Sequence, residues 1–320
     1  MTVEDPSSVR GLSSMAAIDS PRIRSRLERL LPAGSLPYLL HLRPRAWPIV
    51  AAHMSVGVLL ALGPAFTAES LRRWLLAAVA WGILGNGGTL AINSVFDRDE
   101  GDIGYLDNPP PVPRHLLAFS LIFLLAGWAL AATLGGMFLA AYSLCLAMSL
   151  LYSVPPIRAK ARAGYDVLIN SAGFGGLTVF AGWAALGRPV TSPIVAVAIG
   201  FFFLFAGFYP LTQIYQMDED RSRGDSTLAL SLGRRNAILF SLGAVSLASV
   251  LFLGEAWAHF RTWRSILLVA ALALWYVLLL GWQRRSATAD RAYEQRGFYT
   301  ALWIWALTDV AMVVAMTPVF

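Results

Sequence analysis

The chain has 320 residues, 57% of them hydrophobic and only 14% charged, with a formal net charge of +6 and a pI of 9.8. Soluble domains carry roughly 25% charged residues, so there is too little polar surface here to coat a water-soluble globule, and the composition points to an integral membrane protein. A basic pI would suit nucleic acid, but the arginines sit at the ends of apolar runs rather than on one soluble face, which excludes that partner.

Residues 1–45 read as a basic cytoplasmic tail, in which RIRSRLERLL (22–31) suits either a short amphipathic helix on anionic lipid or a solvated segment. The tail carries no apolar stretch of the kind a signal peptide needs. Nine apolar segments follow, near 46–64, 74–96, 116–134, 136–154, 167–187, 193–215, 236–254, 264–282 and 299–318. Each is close to the ~20 residues a helix needs to cross ~30 Å of hydrocarbon. The expected fold is an all-α integral membrane protein with nine transmembrane helices around a central cavity, occupying 46–320. Gly82, Gly85, Gly87 and Gly88 give the second span a small-residue face for close packing. Cys145, the one cysteine, lies in an apolar segment, so no disulfide forms within the chain and the residue reads as core.

With the N-terminus in the cytoplasm, only Arg72, Arg73, Arg188, Arg261 and Arg264 of the 25 Lys and Arg fall on the far side. The bias of basic residues toward cytoplasmic loops thus agrees with nine spans and places the C-terminus on the side opposite the N-terminus.

One motif occurs twice. NSVFDRDEGD (93–102) and QMDEDRSRGD (216–225) share a side-chain amide, three residues, then Asp-Arg-x-x-Gly-Asp. The first copy is Asn93, Asp97, Arg98, Gly101 and Asp102, and the second is Gln216, Asp220, Arg221, Gly224 and Asp225. Both close an apolar run, and both are expected on the cytoplasmic face. Asn93 and Asp97, like Gln216 and Asp220, are four apart and share a helix face. Hard oxygen ligands at two facing helix ends suit Mg²⁺, which takes one or two carboxylates plus substrate phosphate oxygens. Ordinary solvated loop acids are the alternative, but a frame repeated within one chain, and acid clustered where basic residues are the rule, favour the metal–phosphate reading.

Between the fourth and fifth spans, YSVPPIRAKARAGYDVLIN (152–170) brings Pro155-Pro156, which ends a helix. Arg158, Lys160 and Arg162 then alternate, Lys160 being the chain's only lysine. Guanidinium forks and an ammonium suit a diphosphate. Positive-inside anchoring also accounts for three cations, though not for Tyr152 or for Asp166 and Asn170, four apart on the next helix.

On NSVFD (93–97), YSVPPIRAK (152–160) with Asp166, and DEDRSRGDSTLAL (218–230), the chain resembles the UbiA superfamily of intramembrane prenyltransferases over roughly residues 40–320. The resemblance implies a nine-helix fold with two aspartate-rich motifs, a lateral opening for an isoprenoid tail, and Mg²⁺ as cofactor. It implies transfer of a polyprenyl group from an allylic diphosphate to a lipophilic acceptor, an aromatic one being the first expectation while tetrapyrroles, sugar phosphates, glycerol phosphates and carotenoids stay open. Asn93, Asp97, Asp102, Asp220 and Asp225 would hold metal; Arg98, Tyr152, Arg158, Lys160, Asp166, Asn170 and Gln216 would line the substrate site; Asp97, Asp220 and Lys160 would be catalytic. The chain departs from the family pattern at Gly101, with its acid displaced to Asp102, and at Gln216, where the second motif usually begins with Asp; Asp218 is an added acid.

Two residues stand apart. His53 and Asp309 fall inside the first and last spans, where an ionisable group is a functional candidate by default and a hydrogen-bonded packing residue otherwise. Trp81, Phe96, Phe174, Phe208, Tyr209, Tyr215 and Trp303 could face a carbocation. Two other classes stay open: a transporter, favoured by the internal repeat but disfavoured by acids at one face rather than at the midplane, and a non-catalytic isoprenoid-binding relative. Besides polyprenyl diphosphate, acceptor and membrane lipid, no protein partner is implied.

Overall fold

The computed structural model describes residues 21–63, 66–97, 104, 106, 108–259 and 263–317. Among them every named element is helical. Two short helices, α1 (Pro21–Leu30) and α2 (Leu36–His41), precede the bundle. Its helices are α3 (Trp47–Leu62), α4 (Ala68–Asp97), α5 (Leu116–Ala132), α6 (Gly136–Ser153), α7 (Tyr165–Ala185), α8 (Ser192–Ile214), the short α9 (Met217–Arg223), α10 (Leu228–His259, broken at Gly233, whose φ of 73° and ψ of 160° are not helical), α11 (Ser265–Arg285) and α12 (Arg291–Met316). Eight of the described helical runs are long and apolar enough to cross a membrane, α3 counting as part of the 27-residue run Leu36–Leu62 that begins with α2. The ninth, α5, is apolar but has 17 residues, at the lower edge of the ~17–25 that span hydrocarbon.

The outward faces are apolar too: Ile122, Leu125, Val250, Val277 and Val310 are exposed, as a lipid-facing surface requires. With lipid outside, helices associate through close packing rather than hydrophobic exclusion, and small residues make the closest approach here. A Cβ on Gly57 of α3 would lie 1.8 Å from the Val179 carbonyl oxygen of α7, and one on Gly182 of α7 would lie 2.0 Å from that of Met54 on α3. The two backbones therefore touch reciprocally, fixing α7 against α3.

α4 and α7 each contain a π-helical stretch, Ala78–Gly85 and Ser171–Leu177, a device that recurs at functional sites. The two are joined: Trp81 Nε1 donates to Thr178 Oγ1 at 3.1 Å, and Thr178 Oγ1 donates to the Gly173 carbonyl at 2.8 Å. At the end of the bundle remote from Asp97, arginines satisfy helix C-terminal carbonyls. Arg73 donates to Ala185 O at 2.7 Å and Arg188 to Ala61 O at 2.9 Å.

Residues 36–45, assigned to the tail on sequence grounds, are folded onto the bundle. Leu36, Leu40 and Leu42 are buried, and buried Arg43 donates to Ser94 Oγ at 3.3 Å and to the Gly104 carbonyl at 3.2 Å. α1 lies over the same region, Arg24 Nη1 donating to the Asn108 carbonyl at 3.0 Å and Leu27 packing with Leu106.

Candidate functional site

The last turn of α4 presents Asn93 and Asp97 on one face. Ser153, ending α6, donates its hydroxyl to Asn93 Oδ1 at 2.5 Å, which ties the exit of α6 to the first repeat. The chain cannot continue helically through Pro155-Pro156. It turns at Arg158, whose φ of 37° and ψ of 58° lie in the left-handed region, a strained backbone for a non-glycine residue. The turn sends Arg158 and Lys160 back toward Asp97. Lys160 Nζ contacts Asp97 Oδ1, and Arg158 Nη2 lies 3.7 Å from the same oxygen.

The second repeat arrives from the other side. α9 carries Asp220, 6% exposed, and ends at Gly224, whose φ of 73° makes the left-handed helix stop that glycine permits at no steric cost. That stop folds Asp225 back, its N–H donating to the Asp220 carbonyl at 3.1 Å. The following strand-like residue lies beside the basic loop, with the Ser226 N–H donating to Ala161 O at 3.2 Å and a single parallel bridge between Arg162 and Ser226. Arg158 Nη1 then donates to Asp225 Oδ1 at 3.1 Å. One guanidinium thus spans both repeats, Asp97 on one fork and Asp225 on the other, at one end of the bundle.

Other site candidates divide. Tyr152 OH and Tyr209 OH share a hydrogen bond at 2.7 Å. Asp166 is wholly buried and spends Oδ2 on protein donors, Gln213 Nε2 at 2.6 Å and Leu228 N–H at 2.9 Å, so it is not presented as an open ligand. Asn170 donates to the Asp166 carbonyl at 2.8 Å. Thr227 Oγ1 points at Asp220 Oδ2 at 3.5 Å. Gln216, which holds the amide position of the second repeat, donates to Tyr215 OH at 3.2 Å. Asp218 is 93% exposed and paired with Arg221 at 2.9 Å, away from the cluster. Arg98 and Asp102 lie outside the described residues. Ser153 and Gln213 enter the cluster without having been singled out from sequence, whereas Thr227 belongs to the Asp-Arg-x-x-Gly…Thr-Leu string that carries part of the resemblance. The signal available was their place: Ser153 follows Tyr152, and Gln213 is an amide in an apolar run.

Below the tyrosine pair runs an aromatic wall. Phe205 stacks on Tyr209 and Phe174 with centroids at 6.0 and 5.7 Å, and meets Trp305 edge-on at 5.5 Å. Trp305 meets His53 at 4.9 Å. His53 and Asp309 prove to be one unit: Nδ1 lies 3.0 Å from Asp309 Oδ1, while Nε2 faces the Gly175 carbonyl at 3.2 Å. Trp303, by contrast, is 65% exposed on the lipid side and takes no part in this wall.

Asp97, Asp220 and Asp225 offer hard carboxylate oxygens and Asn93 an amide oxygen, donors of the kind a hard divalent cation takes. Among the described residues no three His, Cys, Asp or Glu side chains gather into a ready cage.

The fold and this cluster define a class: an intramembrane helical protein with paired acidic motifs and a basic loop meeting at one end of the bundle. The UbiA prenyltransferase family model matches residues 47–307; the chain belongs to that family, and is an integral, multi-pass membrane protein. It is 28% identical to the protoheme IX farnesyltransferase of Haloarcula marismortui, over 89% of this chain and 62% of that protein, so it spans less than two thirds of that relative's length. It is 29% identical to the lycopene elongase/hydratase of Haloferax volcanii, over 78% of this chain and 80% of that one. Its fold is shared with a UbiA homolog from Archaeoglobus fulgidus solved bound to GPP and Mg²⁺, at a TM-score of 0.66 and 21% identity, covering 87% of this chain and 99% of that one.

Proposed function

We propose that this chain transfers a polyprenyl group from an allylic diphosphate to a lipophilic acceptor inside the membrane, with Mg²⁺ as cofactor. The observation that carries the reading is Arg158 bridging Asp97 and Asp225 beside Lys160. These are oppositely charged side chains gathered at the mouth of an apolar bundle, an arrangement that suits a charged ligand.

In the free protein Asp97 and Asp225 are each paired with a cation. A diphosphate carries the charge to draw Lys160 and the Arg158 fork to itself through charge-assisted hydrogen bonds, and so releases Asp97 and Asp225. Mg²⁺, held by Asp97, Asp220 and Asp225, would neutralise charge developing on the leaving group. As the allylic C–O bond breaks, its electron pair goes to the diphosphate, where Lys160 and Arg158 stabilise it. The allylic cation is left beside Tyr152, Tyr209 and Phe205, whose ring faces attract it, in a space from which the apolar wall excludes water. The acceptor supplies the electrons of the new bond and then sheds a proton.

The basic-residue bias supports a cytoplasmic N-terminus, a C-terminus on the opposite side, and a site open to the cytoplasmic face. The names of the relatives, a protoheme farnesyltransferase and a lycopene elongase/hydratase, support a large lipophilic acceptor, so the aromatic class expected from sequence is one arm of the test rather than its premise. Purified protein in nanodiscs is given Mg²⁺, allylic diphosphates of increasing length, and quinone-type, porphyrin and carotenoid acceptors. Pyrophosphate release should require Mg²⁺ and one acceptor class, and should vanish in Asp97→Ala and Asp220→Ala. Undiminished turnover in both variants would falsify the site.

A further inference from the structure

The most completely buried carboxylate near the repeats belongs to neither. Asp166, in the first turn of α7, is 0% exposed. Its Oδ2 accepts from Gln213 Nε2 of α8 and from the N–H of Leu228, the first residue of α10. Gln213 turns its own Oε1 to the N–H of Ala229, the second residue of α10, at 3.3 Å. The first N–H groups of a helix have no partner inside it, and a Ser, Thr, Asp or Asn immediately ahead of the helix ordinarily serves them. Thr227 holds that place here, but its hydroxyl is directed at Asp220 Oδ2. The service comes instead from two other helices.

We infer that Asp166 and Gln213 are positioning residues: together they cap α10 from outside and so hold the second acidic repeat against the first. Four residues, Gly224 to Thr227, separate the end of α9 at Arg223 from the capped end of α10 at Leu228. Asp225 reaches Arg158, Ser226 pairs with Ala161, and Thr227 faces Asp220. Releasing Leu228 and Ala229 therefore slackens every contact by which the second repeat meets the basic loop. Asp166 does this without touching substrate. Its remaining oxygen, Oδ1, is shielded and has no hydrogen-bond partner among the described residues.

The test has a structural arm, and a kinetic arm that rests on the proposed prenyl transfer. Hydrogen–deuterium exchange of the full purified chain, without substrate, reads the amides of Leu228 and Ala229. Asp166→Ala should speed their exchange about tenfold or more, the order expected for losing a buried hydrogen bond to a charged acceptor. Asp166→Asn keeps an acceptor oxygen in place and should stay near wild type. Gln213→Ala, which guards against a misfolded alanine variant at 166, should act at Ala229 first. Kinetically, Asp166→Ala and Gln213→Ala should raise KM for the diphosphate more than they lower kcat, and the double variant should be no worse than the worse single. Exchange unchanged in Asp166→Ala, or Asp166→Asn as damaging to kcat as Asp166→Ala, overturns the inference and makes Asp166 a direct contact. If exchange responds while the wild type releases no pyrophosphate from any allylic diphosphate, the capping stands and the prenyl-transfer reading falls.

Discussion

Replacing Lys160 by Met separates what the Lys160–Asp97 pair does for stability from what it does for chemistry. The two side chains are only 12% and 14% exposed, so solvent screens them little. Removing one partner of a buried pair costs about 3–5 kcal/mol. Asp97 keeps Arg158 at 3.7 Å, which places Lys160→Met at the lower end, about 3 kcal/mol. Asp97→Asn should cost a similar amount, since it takes the carboxylate charge from Lys160 and Arg158 at once. Replacing both partners removes the uncompensated charge, so Lys160→Met/Asp97→Asn should regain most of the loss. Activity should not follow. Both groups are assigned to the diphosphate end of the reaction, and losing one stabilising contact of this kind costs about 10²–10³ in kcat; the double variant should therefore be no more active than the worse single. Thermal unfolding in detergent, read beside pyrophosphate release, gives both quantities. A double variant as unstable as the two singles added together, or full turnover in Lys160→Met, refutes the reasoning.

Gly57→Ala and Gly182→Ala should each cost about 1–3 kcal/mol by overpacking, because the added methyl meets a backbone oxygen of the facing helix. Gly243→Ala, where the methyl meets nothing within 4 Å, should leave the melting temperature unchanged or raise it slightly. His53→Leu and Asp309→Leu should each lower the melting temperature, since each strands its partner inside the bundle; the double variant should recover most of the difference. Tyr209→Phe removes the hydroxyl bonded to Tyr152 at 2.7 Å and should cost about 1 kcal/mol of stability, seen as a small fall in melting temperature.

Hydropathy alone located the helices, because a lipid-facing helix must be apolar along its whole length. It missed the first turn of α10, which begins at Leu228 rather than near 236, since Gly233 breaks the helix and Arg234 and Arg235 dilute the run. The repeat was legible as a spacing, and Asp97, Asp225, Arg158 and Lys160 do converge. Spacing did not reveal which partners each member takes. Gln216 aligns with Asn93 in the frame yet bonds Tyr215, because the frame continues a helix in the first copy and opens the short α9 in the second. The partners of Asp166 lie 47 and 62 residues away, and His53 meets Asp309 across 256. Such pairs are set by helix packing, and no local pattern announces them.

The central claim is that the two acidic repeats grip a single diphosphate. A structure of the chain with Mg²⁺ and a thiolo analogue of an allylic diphosphate, which resists ionisation, tests it most directly. The diphosphate should lie against Lys160 and Arg158 with Asp97 and Asp225 both turned toward it; a diphosphate bound at one repeat while the other keeps its pairing with Arg158 would contradict the account.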